Sequence, residues 1–260
     1  MEKFLTYKSA YIGFMMALTA TIIICLTLDA SVIWLTLPCF LFLGIISYGS
    51  SCIQSDFYTH AYCAGNTSEK IITLTFDDGP NSQYTSKVLE LLAQYKAPAT
   101  FFVIGKNIQG NENILKRIDE EGHIIGNHSY THSYWLDFKS VRGFKKELNQ
   151  TTEIVFQLLG KKMRLFRPPY GVITPSIVEA SKLLNYFIIG WNIRSFDTTK
   201  DSVQIITQRI EKKIKPGAIV LLHDANDKIV QVLEHVLIFA KQNNYKIISL
   251  EQLLKIKAYE

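Results

Sequence analysis

Apolar residues are spread along this chain in two different ways. Between residues 10 and 55 they are nearly continuous, and the only charged residue is Asp29. From residue 70 onward, short apolar runs alternate with stretches in which apolar positions recur three and four apart. The first pattern predicts helices that are apolar all round. The second predicts strands alternating with amphipathic helices.

Residues 10–28 and 31–47 each approach the roughly 20 residues needed to cross a bilayer. Together they are too long for the apolar region of a signal sequence, and no small-residue cleavage site stands out. Residues 1–48 therefore read as a transmembrane helical hairpin turned at 29–31, and the alternative is a pair of core helices. Lys3 and Lys8 precede the first span. The positive-inside rule then favours a cytoplasmic N-terminus and, after two crossings, a cytoplasmic remainder. One crossing, or an inverted hairpin, puts the rest outside. Residues 49–69, with Ser, Gly, Tyr and Asn, read as a linker leading into a catalytic domain over 70–260.

Within that domain, strands are predicted at 71–75, 100–104, 124–127, 165–167, 186–191, 218–222 and 245–248. Helices are predicted at 83–95, 112–121, 141–159, 175–184, 203–213 and 228–242. Strand-helix alternation over some 180 residues implies an α/β fold with a parallel sheet and helices outside it. About seven parallel strands make a distorted (β/α) barrel plausible, although an open sheet gives the same pattern.

The chain of 260 residues has a formal net charge of +5. Lys and Arg are scattered singly or in pairs with no basic run, so nucleic acid is not an expected partner. Of four cysteines, Cys25 and Cys39 fall in the apolar spans as small buried residues. Cys52 and Cys63 flank the linker and are able to pair in an oxidising compartment. The catalytic part has none, which argues against a thiol nucleophile or a Cys-held metal.

Candidate chemistry begins at Asp77-Asp78, between an apolar run and the turn Gly79-Pro80. Adjacent like charges oppose each other, so one needs a cation or a hydrogen-bonding partner. His128 and His132 are four apart, a spacing that on a helical turn puts both rings on one face. With a carboxylate from another loop they make a two-His-one-carboxylate metal set with room for water. His123 precedes its strand and reads as structural. Asp77-Asp78, His128, Arg167, Asp197 and His223 all fall where predicted strands end, the edge at which α/β folds gather function.

In order, Thr75-Phe-Asp-Asp-Gly79, His128-Ser-Tyr-Thr-His132, Arg167-Pro-Pro-Tyr-Gly171, Asp197 and Leu221-Leu-His223 resemble the five motifs of the polysaccharide deacetylase family, the NodB-homology domain of carbohydrate-esterase type. The resemblance covers approximately residues 70–250. It implies a divalent cation, zinc first and cobalt or another ion next, held by Asp78, His128 and His132. It implies Asp77 as general base toward the attacking water and His223 as general acid toward the leaving amine. The Tyr170 backbone N–H would face the developing oxyanion. Arg167 would fix and acidify Asp77, and Asp197 would orient His223 and raise its pKa. Leu221 would help form a pocket for the acetyl methyl.

The fourth motif departs from the family pattern, with Arg194 and Thr198 in place of its Asp and Trp. Arg194 is a candidate contact for an anionic substrate group or an ordinary surface residue. Trp191 and Trp135 are candidates for sugar stacking or for packing. The resemblance implies a metal-dependent hydrolase removing N-acetyl groups from N-acetylglucosamine-type sugars of a glycan such as peptidoglycan or a chitin-like polymer, on a bacterial cell membrane. A deformylase or deacetylase of a lipid-linked amino sugar is the alternative. An inactive glycan-binding protein is a third reading, disfavoured because base, ligands, acid and both orienting residues are all present.

Overall fold

The computed structural model describes residues 5–260. Two N-terminal helices come first, α1 (Tyr7–Thr27) and α2 (Thr36–Ser51), with a 3-10 turn at Val32–Leu35 between them. At about 1.5 Å per residue, the 21 residues of α1 match the thickness of a hydrocarbon core. Their apolar surface is mostly uncovered: Met16 is 68% exposed, Leu26 80% and Phe40 70%. A pair of core helices would bury that surface, so the core-helix alternative fails. The second helix runs on to Ser51, past the expected end at 47.

β1 (Ile71–Asp77) leads to α3 (Thr85–Tyr95), β2 (Ala99–Val103), the short α4 (Gly105–Ile108), α5 (Glu112–Glu120) and β3 (Ile124–Asn127). Then come α6 (Val141–Leu159), β4 (Leu165–Phe166), α7 (Pro175–Leu183), β5 (Phe187–Ile188) and β6 (Ile193–Arg194). The chain finishes with α8 (Val203–Glu211), β7 (Ala218–His223), α9 (Ile229–Gln242), β8 (Lys246–Ile247) and α10 (Leu250–Leu254). Local chemistry sets several of these boundaries. Ser140, Thr174, Ser202 and Ser249 cap helix N-termini through their hydroxyls, and Gly160 ends α6 in the left-handed region.

Seven parallel strands follow the order β5-β4-β3-β2-β1-β7-β6 and form a curled half-barrel. Its membership differs from expectation in two places. The run predicted at 186–191 is only Phe187–Ile188, and β6 supplies a separate edge strand. The strand predicted at 245–248 is β8, which pairs with the start of β1 beside the main path. Strands buried on both faces read as continuous apolar runs, which is why β1, β2 and β7 were legible.

The end strands β5 and β6 are joined through residues 189–192, so the curl brings the two ends of the path close together. Residues preceding β1 lie across this seam. Tyr62 bridges Ile189, Ala64 bridges Ala218, and the Gly65 N–H donates to the Gly217 carbonyl at 2.8 Å. A Cβ on Gly190 would come within 2.4 Å of the Cys63 sulfur, so this approach requires glycine. Cys52 and Cys63 are not bonded to each other; the Cys63 thiol donates to the Ile53 carbonyl at 3.7 Å. The base of the hairpin is tied to the same region. The Tyr7 N–H donates to the Phe57 carbonyl, and the Ile173 N–H donates to the Ser50 carbonyl, both at 2.9 Å.

Candidate active site

β1 alternates its side chains across the sheet. Leu74 and Phe76 pack into the layer shared with the outer helices, whereas Thr75 and Asp77 face the inside of the curl. There the Arg167 guanidinium, itself fully buried, donates to Asp77 Oδ1 and to Thr75 Oγ1, each at 2.8 Å. It also donates to the carbonyls of Ile189 (3.3 Å) and Gly190 (2.9 Å), so Arg167 reaches across to the seam. Phe102 stacks on the guanidinium, 4.2 Å from its centroid. Burial pushes the Asp77 carboxyl above its usual range, and Arg167 pulls it back only in part. The net direction is therefore opposite to the acidified Asp77 expected from the charge of Arg167 alone.

Asp78 follows with φ at 77°, a turn that swings its carboxylate away from Asp77, while its carbonyl accepts from Asn107 Nδ2 at 2.8 Å. Asp78 Oδ1 lies 3.3 Å from His132 Nε2 and 3.6 Å from His128 Nε2. Each of the three residues offers a ligand atom within 4.8 Å of the others. The Arg167 carbonyl accepts from His128 Nδ1 at 2.7 Å, which fixes the proton there and leaves Nε2 free to ligate. Burial holds the His128 pKa down to about 3 and lowers that of His132, so both rings are neutral donors at ordinary pH. Asp78 Oδ1 is buried with no hydrogen-bond partner. Two neutral imidazoles beside an orphaned carboxylate oxygen fit a divalent cation.

The His128–His132 segment is not the helical turn that the spacing predicted. Ser129 (φ 67°) and His132 (φ 50°) are left-handed, and the segment is a loop. Buried Glu147 holds it from α6, accepting from the N–H groups of Tyr130 (3.1 Å) and Thr131 (2.8 Å) and from Lys139 Nζ (2.7 Å). The rings still meet, with centroids 4.9 Å apart.

Opposite this set, β7 pairs with β1 so that His223 lies across from Asp77 and Leu221 across from Thr75. His223 Nδ1 is 2.8 Å from Asp197 Oδ1, and the His223 N–H donates to Asp197 Oδ2 at 2.8 Å. Ser195 Oγ donates to the same carboxylate. Burial alone would lower the His223 pKa, but Asp197 first, and then the charges of Asp77 and Asp78, override it and push the imidazole up to about 9. Asp77, Asp78, His128, His132, Tyr170, Trp191, Arg194, Leu221 and His223 line one cavity of about 350 Å³. Arg167 and Asp197 stand behind it, fully buried.

Other residues of the site were not read from sequence. Tyr134 lines the cavity and stacks on Tyr170 at 5.1 Å, and the Tyr170 hydroxyl donates to the His132 carbonyl at 3.2 Å. Phe196 lines it beside Thr198, with the Arg194 guanidinium 4.8 Å over its ring. Buried Asp224 accepts from Thr85 and lies under Gly79, where a Cβ would come within 2.4 Å of its carboxylate. Asn107, Glu147 and Asp224 carried no signal beyond their types. His123 sits at the amino end of β3, accepting the Ala99 N–H, away from the cavity. Trp135 is exposed and not among the cavity residues. A larger groove of about 830 Å³, bordered by α6 and residues 183–186, has no comparable pairing of base, acid and ligands.

The fold and site together define a curled parallel α/β half-barrel that carries, at the carboxyl ends of its strands, an Arg-bound carboxylate, a carboxylate-supported imidazole and a group of one Asp and two His able to hold a cation. The model of the polysaccharide deacetylase family matches residues 64–189. The chain is 38% identical to a peptidoglycan-N-acetylglucosamine deacetylase of Bacillus cereus over 73% of its length and 90% of that protein. It is 34% identical to the peptidoglycan-N-acetylmuramic acid deacetylase PdaA of Bacillus subtilis, over 75% of each. The crystal structure of the Bc1960 peptidoglycan N-acetylglucosamine deacetylase, in complex with an N-hydroxybenzamide, superposes with a TM-score of 0.73 at 29% identity. That match covers 77% of this chain and 95% of the other. The chain belongs to the polysaccharide deacetylase family.

Proposed function

We propose that this protein hydrolyses the acetamide of N-acetylated amino-sugar residues in a peptidoglycan-type glycan, releasing acetate and leaving a free amine. Asp78, His128 and His132 would hold a divalent cation, with zinc the best match to a carboxylate and two imidazoles. Such an ion polarises the carbonyl and makes water more acidic. Asp77, fixed by Arg167, takes the proton from the attacking water. The Tyr170 N–H is assigned to the developing oxyanion, and Leu221 to the acetyl methyl. His223, held protonated by Asp197, delivers a proton to the departing nitrogen, without which the amine is a very poor leaving group. Trp191, Phe196 and Tyr134 offer aromatic walls to sugar rings, and Arg194 offers a cation at the rim.

The observation that carries this reading is the pairing, in one cavity, of an Arg-bound Asp77 with the Asp78/His128/His132 set and the His223–Asp197 couple. The helices α1 and α2 are assigned as a membrane anchor, on the strength of their length and uncovered apolar surface, and the catalytic domain is assigned to residues 70–260 together with the preceding segment that packs on its core. The test is acetate release from N-acetylated peptidoglycan fragments and chitooligosaccharides by the full-length protein in detergent. Exhaustive chelation is expected to abolish release and zinc or cobalt to restore it. Undiminished turnover after chelation would overturn the metal assignment.

A further inference from the structure

We infer that residues 134–146 form a second membrane contact, which seats the mouth of the catalytic cavity against the bilayer that α1 and α2 enter. The inference rests on the reading of those two helices as membrane spans. Trp135 and Phe138 are 74% and 82% exposed, stand 6.0 Å apart, and are not among the residues lining the cavity. They are held out by a 3-10 turn whose Leu136 is buried beneath them. Leaving two large apolar side chains in water is costly, and neither the core nor the cavity accounts for them.

The residues that follow add a second signal. Arg142, Lys145 and Lys146 occupy the first two turns of α6, and no acidic residue occupies its first turn. Arg142, in the first turn, opposes the helix dipole, so helix stability does not explain it. Exposed Trp and Phe beside a cluster of cations match the interface of an anionic bilayer, where aromatic rings sit at headgroup level and basic residues meet lipid charge.

Continuity with the anchor gives the direction. The Ile173 N–H donates to the Ser50 carbonyl in the last turn of α2, and Gln54 Nε2 donates to the Trp191 carbonyl at 2.9 Å. Gly171 packs against Trp191, and Tyr170 beside it stacks on Tyr134. The end of the second span is thus bonded to the wall of the cavity from which the aromatic turn projects. Hydrolysis then takes place on glycan held within reach of the membrane surface.

The test uses the full-length chain in vesicles of phosphatidylcholine and phosphatidylglycerol, with and without bromine on the acyl chains near the headgroup. The chain has three tryptophans, Trp34, Trp135 and Trp191. Trp34→Phe protein is expected to stay strongly quenched by the brominated lipid. Adding Trp135→Phe is expected to remove most of that quenching. Replacing Arg142, Lys145 and Lys146 by Gln is expected to weaken it, as does omission of phosphatidylglycerol. Equal emission from Trp34→Phe protein in brominated and plain vesicles would overturn the inference. So would a Trp135 response to chitooligosaccharide and not to lipid, which would make the turn a glycan platform. In Trp135→Phe protein, quenching of Trp34 reports the anchor separately. If Trp34 is quenched while Trp135 is silent, only this inference falls; if neither is quenched, the anchor falls with it.

Discussion

The layer between sheet and helices and the carboxyl edge of the same strands follow opposite rules. In the layer, Leu74, Phe76, Phe101, Val220 and Leu222 are apolar and almost wholly covered. One position along the same strands, Thr75 and Asp77 are just as deeply buried, and Arg167 and Asp197 join them. The rim also holds five non-glycine residues at positive φ: Asp78, Ser129, His132, Tyr170 and Phe196. Conformations of that kind cost on the order of 1–3 kcal/mol each and persist only where the surroundings over-determine them. The apolar layer anchors the strands, and the rim uses that rigidity to hold charges and strained turns in place. Stability and chemistry should therefore separate under mutation.

The sharpest separation contrasts Asp77→Asn with Phe101→Ala. Losing the base should cut turnover of the folded protein by roughly 10²–10⁴-fold, measured as acetate release, and leaving buried Arg167 without its carboxylate should also lower the unfolding midpoint. Phe101→Ala should cost about 3–5 kcal/mol of unfolding free energy, read from denaturant titration, while the protein still folded keeps its kcat. A Phe101→Ala protein that is stable but inactive would merge the two regions.

A smaller effect is expected at the acid. His223 is raised to about 9 in the folded protein, against about 6.5 for a free imidazole. A protonated donor is present below that value, so turnover should fall as pH rises through about 9. The same shift makes a stability contribution that is complete below about 6.5 and lost as pH rises through the folded value. Asp197→Asn removes the carboxylate that raises His223, so the alkaline limb of kcat should move to lower pH. An unmoved limb would detach Asp197 from the acid. The smallest effect belongs to Arg194→Ala, on the exposed rim. Stability should change by no more than about 0.5 kcal/mol, with kcat/KM altered only for glycans carrying an anionic group.

Sequence legibility followed the same division. β1, β2 and β7 announced themselves because strands covered on both faces are unbroken apolar runs. β6 and β8, two residues each and partly exposed, are too short for any periodicity. The motifs located the rim because their side chains are chemically singular and fall at strand ends. Their local geometry was less accessible: a spacing of four suggested a helix for His128–His132, but Glu147 organises that loop from fifteen residues beyond His132. Tyr134 and Phe196 escaped notice because an aromatic residue in a loop carries no pattern to say whether it faces a cavity, solvent or core. The direction of the Asp77 shift was hidden for a related reason, since the charge of Arg167 is visible in the sequence and the depth of burial is not.

Metal content of purified Asp77→Asn and Asp78→Ala proteins, assayed beside acetate release, bears most directly on the division of labour between the paired carboxylates. The account predicts that Asp77→Asn keeps a stoichiometric divalent ion without turnover, and that Asp78→Ala loses both. An Asp78→Ala protein that retains its ion, or an Asp77→Asn protein that sheds it, would contradict the assignment.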